Sequence, residues 1–553
     1  MFPDKPMKVR LAESKAEWMP GGAFHHDFVY RFPRVAPFFA FDPRSMGSTV
    51  RRKGHLEGWR GNRKKISEIV LRDNTRWGAD ATALESARDL QEDNTCVVLA
   101  QVRPSVLGGT GSVFLKALSV LEYARRLASV VNTRVIPMLW VVGDHNWGAV
   151  GRVMCTGRDG TIRRLCLKPD PQGCASANEI SIHPGINHLL GEFEEVMGAD
   201  VRESDVMESL RRAALEHETV TDAFCHFLCG IFSHRGLLLV DGSSSGVREM
   251  IAPLLQQAAL RRHSVEGELA VGADRLASKG YEVPLPGGTG RCHIFMDCGR
   301  GRVQLFREGE RFRDLDGTLE IGAADLAKLI QEEPHRFSSG EVLRPVAQDC
   351  VLPVLAHVVG KEEAICRAQT KGVYSLFDGA VPPVFPQVSL TFIEPRVADE
   401  RDSRDIPIDA LLKKSQSDQL LESILAGLGQ QHIEALFQKG WNRIDEALSE
   451  IRSGLETQVP SLRHVGEANA VRMRRQMNYY DRKARQHHRR KHREVVRGFR
   501  FVRNSLRPLD GPQEDVSYLP LLVRHGRGWM AGVLDAMSSQ EHLWGHYFVE
   551  WCE

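Results

Sequence analysis

Asp144, His145 and Asn146 are the residues whose types and spacing most directly invite chemistry, because they set a carboxylate, an imidazole and an amide side by side where the apolar run Leu139-Trp-Val-Val142 stops. A histidine beside a carboxylate can accept or release a proton near neutral pH, the carboxylate setting its tautomer and pKa. These three are the candidate catalytic residues, and Trp147 closes the cluster as a candidate for substrate contact. A second group precedes them. Gly108-Gly109-Thr110-Gly111-Ser112 opens a helical pattern, and the unsatisfied N–H groups of a helix start can hold phosphate or carboxylate. Lys116, one turn further on, is expected to add a mobile positive charge. The spacing matches neither the P-loop nor GxGxxG, so these glycines specify no particular nucleotide and equally suit a tight connection.

The elements that must position these residues are legible around them. Thr95-Cys-Val-Val-Leu-Ala100 and Arg134-Val-Ile-Pro-Met-Leu-Trp-Val-Val142 are short apolar runs suited to strands buried on both faces. A helix from about Val113 to Val130 joins them. A right-handed βαβ crossover brings both strand exits and the helix start to one edge of a parallel sheet, where ligands of open α/β sheets bind. Arg235-Gly-Leu-Leu-Leu-Val-Asp241 reads as a further buried strand, leaving through Gly242, Ser243 and Ser244 into a helix near Val247. That turn shares the anion-binding potential of the first and is the candidate cofactor site. The fold class expected is therefore α/β, a Rossmann-like parallel-sheet core of residues 1–400 with inserted segments at about 155–232 and 265–335. His293 to Phe306 reads as a hairpin, Pro386 to Glu394 as one strand, and the region before Asn94 as irregular segments and helices.

Beyond about residue 400 the period changes. Phe437, Trp441, Ile444, Leu448, Ile451 and Leu455 recur in steps of four and three, a heptad seam, and Pro460 ends that helix. A second helix from about Leu462 to Leu506 should fold back antiparallel, making 401–507 a coiled-coil arm and 508–553 a segment that returns to the core. The second helix is strongly basic between Arg472 and Arg503, with Tyr479, Tyr480 and several histidines interleaved. An arm that binds RNA or nucleotide, or a dimeric scaffold without enzymatic activity, is the alternative this pattern raises. Acidic residues of the first helix, Glu434 among them, could instead neutralise part of the charge.

The 553 residues are 42% hydrophobic and 26% charged with a net charge of +2, the composition of an ordinary globular protein with no overall pull toward nucleic acid or membranes. No apolar run approaches 18 residues and the N-terminus is polar and proline-broken, so a cytoplasmic location is expected. Eleven scattered cysteines suggest reduced thiols. Cys225-His226-Phe-Leu-Cys229 lies in an apolar helix without a second ligand pair, so no metal site is expected. The lack of a dinucleotide fingerprint argues against a dehydrogenase.

Several separated motifs, in order, resemble one family. Lys116-Ala-Leu-Ser-Val120, Pro137-Met-Leu-Trp140 with Asp144-His145, Pro334 to Asp349 with Leu352-Pro353, and Pro512-Gln-Glu-Asp-Val516 with His546-Tyr-Phe-Val549 are similar to the motifs of the bacillithiol-biosynthesis cysteine-adding ligases. Three departures stand in the pocket region. Gln101 is the one survivor of a glutamine pair, Asn146 replaces a carboxylate, and Cys366-Arg367 replaces an aromatic pair after Glu363. The resemblance implies a nucleotidyltransferase-like sheet, dimerisation through the coiled coil, and a ligase that joins the cysteine carboxylate to the amine of glucosaminyl malate. Activation of that carboxylate by ATP with magnesium, as an acyl-adenylate, is the obvious route. In that reading Gln101, Gly108, Gly109 and Lys116 orient anionic groups, while Asp144, His145 and Asn146 position and deprotonate the amine. Arg344 is a bidentate carboxylate clamp, with Gln348 and Asp349 completing its wall.

Overall fold

The structure, a computed structural model, describes residues 8–14, 21–144, 147–168, 176–198, 201, 203–261, 265–285, 290–299 and 301–552. The chain divides into two compact units, residues 1–393 with 511–553, and residues 394–510.

The first unit is built on five parallel strands: β1 (Cys96–Val102), β2 (Val135–Val141), β3 (Leu238–Asp241), β4 (Val354–Val359) and β5 (Val384–Pro386). They are ordered β5-β4-β1-β2-β3. Register aligns Val102 with Val141 and Val141 with Asp241, so the carboxyl ends of β1, β2 and β3 form one edge. Burial on both faces explains the unbroken apolar runs. Alternate residues of β1 serve two cores: Val98 and Ala100 pack with the helix α1 (Gly111–Val131), and Val97 and Leu99 with α2 (Ser245–Leu260). The result is an α/β/α sandwich.

Between β2 and β3 lie a hairpin, Arg152–Thr156 with Ile162–Cys166, and the helices Ile186–Met197, Asp205–Glu216 and Val220–Ile231. The hairpin expected at His293 to Phe306 is the centre of a larger antiparallel sheet, which Arg291–Asp297 and Arg302–Glu308 share with three three-residue strands. The single strand expected from Pro386 to Glu394 is two. The chain leaves β5 at Pro386 and enters a different sheet at Ser389–Ile393, beside His546–Trp551, whose other edge pairs with the N-terminal strand Val9–Glu13, an element its composition did not announce. Backbone bonds hold this switch: Gln387 N–H donates to the Val359 carbonyl and Val388 N–H to the Ser119 hydroxyl.

In the second unit, Gln431–Gln458 and Arg463–Lys491 pack as a helical hairpin. The expected continuous second helix is broken at His492, after which Arg493–Leu506 forms a separate helix. Phe437 meets Tyr480 edge-on at 5.2 Å between ring centroids, and Arg474 lies over Trp441. Ile451 and Leu455, counted in the seam, are exposed. No helix among the described residues is long and apolar enough to cross a membrane, and every described cysteine is a free thiol.

Candidate active site

Two polar groups occupy the carboxyl edge of the sheet. The first surrounds Asp144, which follows β2 and is 6% exposed. Arg302, from the antiparallel sheet, pairs with it at 3.3 Å and also donates to the Ser338 hydroxyl at 2.7 Å. Burial alone would raise the Asp144 carboxyl, but the charges of Arg302, Arg344 and Arg248 outweigh it and hold the pKa below its ordinary value. Three guanidinium groups thus address one carboxylate, leaving net positive charge. Arg344 makes one long hydrogen bond, 3.5 Å to the Ser339 carbonyl, and burial lowers its pKa. Its fork is available to an incoming anion.

Asp241 ends β3 and lies against the Gly143 backbone: a Cβ on Gly143 would meet the Asp241 carboxylate at 2.5 Å and the Ser243 hydroxyl at 2.4 Å. Only glycine lets the two loops approach this closely. Burial pushes the Asp241 carboxyl up to about 6, with Asp144 adding to the shift and the Ser243 hydroxyl opposing it. The Ser243 hydroxyl and N–H both donate to Asp241, at 2.6 and 2.8 Å. Ser243 is therefore committed inside the loop. The Gly242 N–H donates to the Val141 carbonyl, whereas the inaccessible Ser244 hydroxyl, at the start of α2, has no hydrogen-bond partner.

The second group lies where α1 meets β1 and β4. Lys116 Nζ donates to both oxygens of Glu363, at 2.8 and 2.9 Å, and to the Gln101 carbonyl at 2.7 Å. This corrects the expectation of a mobile charge: at 7% exposure Lys116 is a fixed strut. Gln101 contributes its backbone to that strut. Gln387, turned inward by the switch between sheets, accepts from the Ser112 hydroxyl at 2.8 Å and donates to Glu514 at 3.0 Å. Burial pushes the Glu514 carboxyl up to about 7, Asp515 adding to the shift and Lys361 and Lys116 opposing it. Two carboxyl groups at this edge are thus poised to exchange protons near neutrality.

The glycine turn is a packing device. Gly108 and Gly109 have φ of +76° and +78°, and a Cβ on Gly108 would strike the Phe227 ring at 2.7 Å. The Gly111 N–H donates to the Val516 carbonyl at 2.7 Å. With its glycines buried and that donor used, the turn is not the open anion cradle its composition suggested. Asp349 is also placed elsewhere than expected. It pairs with His357 at 3.0 Å and with Arg52 at 3.8 Å, in a buried cluster separate from the Asp144 group. Gln348, fully buried one turn beyond Arg344, has neither amide atom hydrogen-bonded. His145 and Asn146 lie outside the described residues, and of Trp147 only its backbone, at the start of a short helix, is described.

Arg248, Arg302, Asp241, Gln387 and Glu514 were not singled out from sequence as site residues. Two carried a signal: Glu514 lies in a matched closing motif, and Asp241 ends a predicted strand just before the candidate cofactor turn. The others belong to distant segments with no local pattern.

A parallel sheet with buried carboxyl groups and arginines at its carboxyl edge defines a Rossmann-like domain. The family comparisons narrow this. A model described as Bacillithiol biosynthesis BshC, N-terminal Rossmann-like domain, matches residues 7–388, and one described as Bacillithiol biosynthesis BshC, C-terminal coiled-coil domain, matches residues 390–551. The chain belongs to the BshC family. It is similar to a protein of Symbiobacterium thermophilum, 27% identical over 534 residues that cover 93% of this chain and 95% of the relative. A Desulforamulus reducens protein is 24% identical over 509 residues, 91% of this chain and 94% of its own. One from Bacillus cereus strain AH187 is 24% identical over 457 residues, 82% and 84% of the two chains. All three are named "Putative cysteine ligase BshC".

Proposed function

We propose that this protein is a carbon–nitrogen ligase that joins the carboxylate of L-cysteine to the amine of an amino-sugar conjugate, glucosaminyl malate. The observation that carries the reading is the cluster at the carboxyl edge, where Arg302 pairs with Asp144 at 3.3 Å and the Asp241 carboxyl, held by Ser243, lies against the adjoining Gly143. An amine attacks only when neutral, and amide formation releases its proton. A carboxylate with a pKa near the working pH accepts that proton efficiently. Arg344, with Arg302 beside it, holds a substrate carboxylate through charge-assisted hydrogen bonds. Lys116 and Glu363 keep α1 and β4 in register, and Gln387 aims Glu514.

An unactivated carboxylate is a poor electrophile, and ATP with magnesium would supply the activation by turning a carboxylate oxygen into a leaving group. The unpartnered Ser244 hydroxyl and the start of α2 fit a phosphate; the buried Gly108-Gly109 turn does not. The coiled-coil arm serves homodimer formation, and a cytoplasmic setting suits a chain of free thiols. The RNA-binding alternative is weakened within the arm itself, where Arg485 pairs with Glu434 and Asp481, and Arg489 with Glu422.

The test is to incubate the protein with glucosaminyl malate, cysteine and magnesium ATP and to search for the condensed thiol by mass spectrometry. Product that Glu514→Gln or Asp241→Asn strongly reduces supports the reading. Absence of product across all ATP and cysteine concentrations overturns it.

A further inference from the structure

Away from the sheet edge, Glu216, His217 and His226 bring three ligand atoms within 4.8 Å of one another. Glu216 ends the helix Asp205–Glu216, His217 follows it, and His226 faces them from the next helix, Val220–Ile231. His217 Nε2 and His226 Nδ1 stand 2.9 Å apart, and a Glu216 carboxylate oxygen lies 3.8 Å from His226 Nδ1. Zinc binds histidine nitrogen at about 2.0–2.1 Å, so two nitrogens of a tetrahedral site lie roughly 3.3 Å apart. Ligation requires the nitrogens to part by about half an ångström and the rings to turn so that both lone pairs converge on the ion.

The setting favours ligation. Both imidazoles are 9% exposed, so the two ring nitrogens are held in place by the surrounding helices. The exposed Glu216 carboxylate faces the opening and supplies the negative charge. Gly78 lies against the His226 ring, where a Cβ would add contacts of 3.5 Å to Cε1 and 3.6 Å to Nδ1. The neighbouring Asp222 is already committed to Arg76 and to the Trp77 indole.

We propose that Glu216, His217 and His226 form a zinc site with a water-accessible fourth position. Without the ion, one imidazole donates to the other. On binding, the donor ring moves its proton to its other nitrogen, so both rings ligate as neutral imidazoles and no net proton is released. The ion would tie the start of Val220–Ile231 to the preceding helix. The same helix carries Phe224 and Phe227 against Gly109 and Gly108, so zinc would stiffen the aromatic wall behind the glycine turn.

The experiment uses the full chain stripped of metal with a chelator, titrated with Zn²⁺ by calorimetry and with Co²⁺ by visible absorption. The expected result is one saturable equivalent, tetrahedral d–d bands without thiolate-to-cobalt charge transfer, and slower hydrogen exchange across Val220–Ile231. Glu216→Gln, at an exposed position that leaves folding intact, should weaken binding about tenfold or more, and His226→Gln should abolish it. The proposal fails if no saturable binding occurs, if a thiolate band accompanies it, or if Glu216→Gln binds zinc like the parent.

Discussion

Lys116 and Glu363 form a two-pronged ion pair, 2.8 and 2.9 Å, that joins α1 to the helix Glu363–Gln369 following β4. Burial alone would raise the Glu363 carboxyl, but Lys116 outweighs it and holds the pKa below the ordinary 4.5. Lys116→Met leaves that carboxylate without its cation. The expected loss is about 3 kcal/mol, the lower end for breaking a buried pair, because 29% of the Glu363 side chain meets solvent. A depressed acid contributes stability above its unfolded pKa and loses it as pH falls. Urea melts of parent and variant should therefore differ most near neutrality and converge below about pH 4.

Asp241 behaves in the opposite sense. Its folded pKa, about 6, lies above the ordinary 3.8, so the folded state binds the proton more tightly and stability falls as pH rises through that window. Asp241→Asn should stabilise the protein at pH 7.5 by about 1–3 kcal/mol, with no gain below pH 3.8. The same substitution should lower ligase activity, a separation of stability from function common at active sites. Thermal melts across pH, run beside activity assays, check both halves.

Glu514 should govern the pH–rate profile. With its pKa near 7, product formation is expected to rise through neutrality as the carboxyl loses its proton. Glu514→Gln should remove that limb and reduce kcat by about 100-fold or more. A profile whose limb survives in the variant would assign the base elsewhere.

Arg344 has one long hydrogen bond, to a carbonyl, and Arg302 and Arg248 still face Asp144 when it is removed. Arg344→Gln should raise KM for the anionic substrate about 10–100-fold, the worth of a charged hydrogen bond, with a smaller change in kcat. An unchanged KM in steady-state kinetics would remove Arg344 from the substrate site.

The arm leaves apolar residues exposed in the single chain, among them Leu436, Ile451, Val471 and Tyr480. A second copy of the chain is their expected partner. Sedimentation should show a dimer in the parent protein and a shift toward monomer in Ile451→Asp with secondary structure retained.

The sequence by itself determined the local facts. Doubly buried strands read as unbroken apolar runs, which placed β1, β2 and β3. The heptad steps announced the arm, and the motifs in order announced the family. It also placed Asp144 and Arg344, and the structure brings both to one charge cluster.

Tertiary structure decided which side chains meet. Arg302 reaches Asp144 from a separate sheet, and Gln387 reaches Glu514 across more than a hundred residues. Such pairs leave no periodic trace, because they arise where chain segments distant in sequence pack together. It also decided the roles of residues that sequence could only nominate. Lys116 is neutralised by Glu363, and Gly108 and Gly109 yield to aromatic rings rather than to an anion. Asp349 faces His357 and Arg52. A residue type states what a side chain can do, but its partners and burial set its charge, and those are properties of the packed fold.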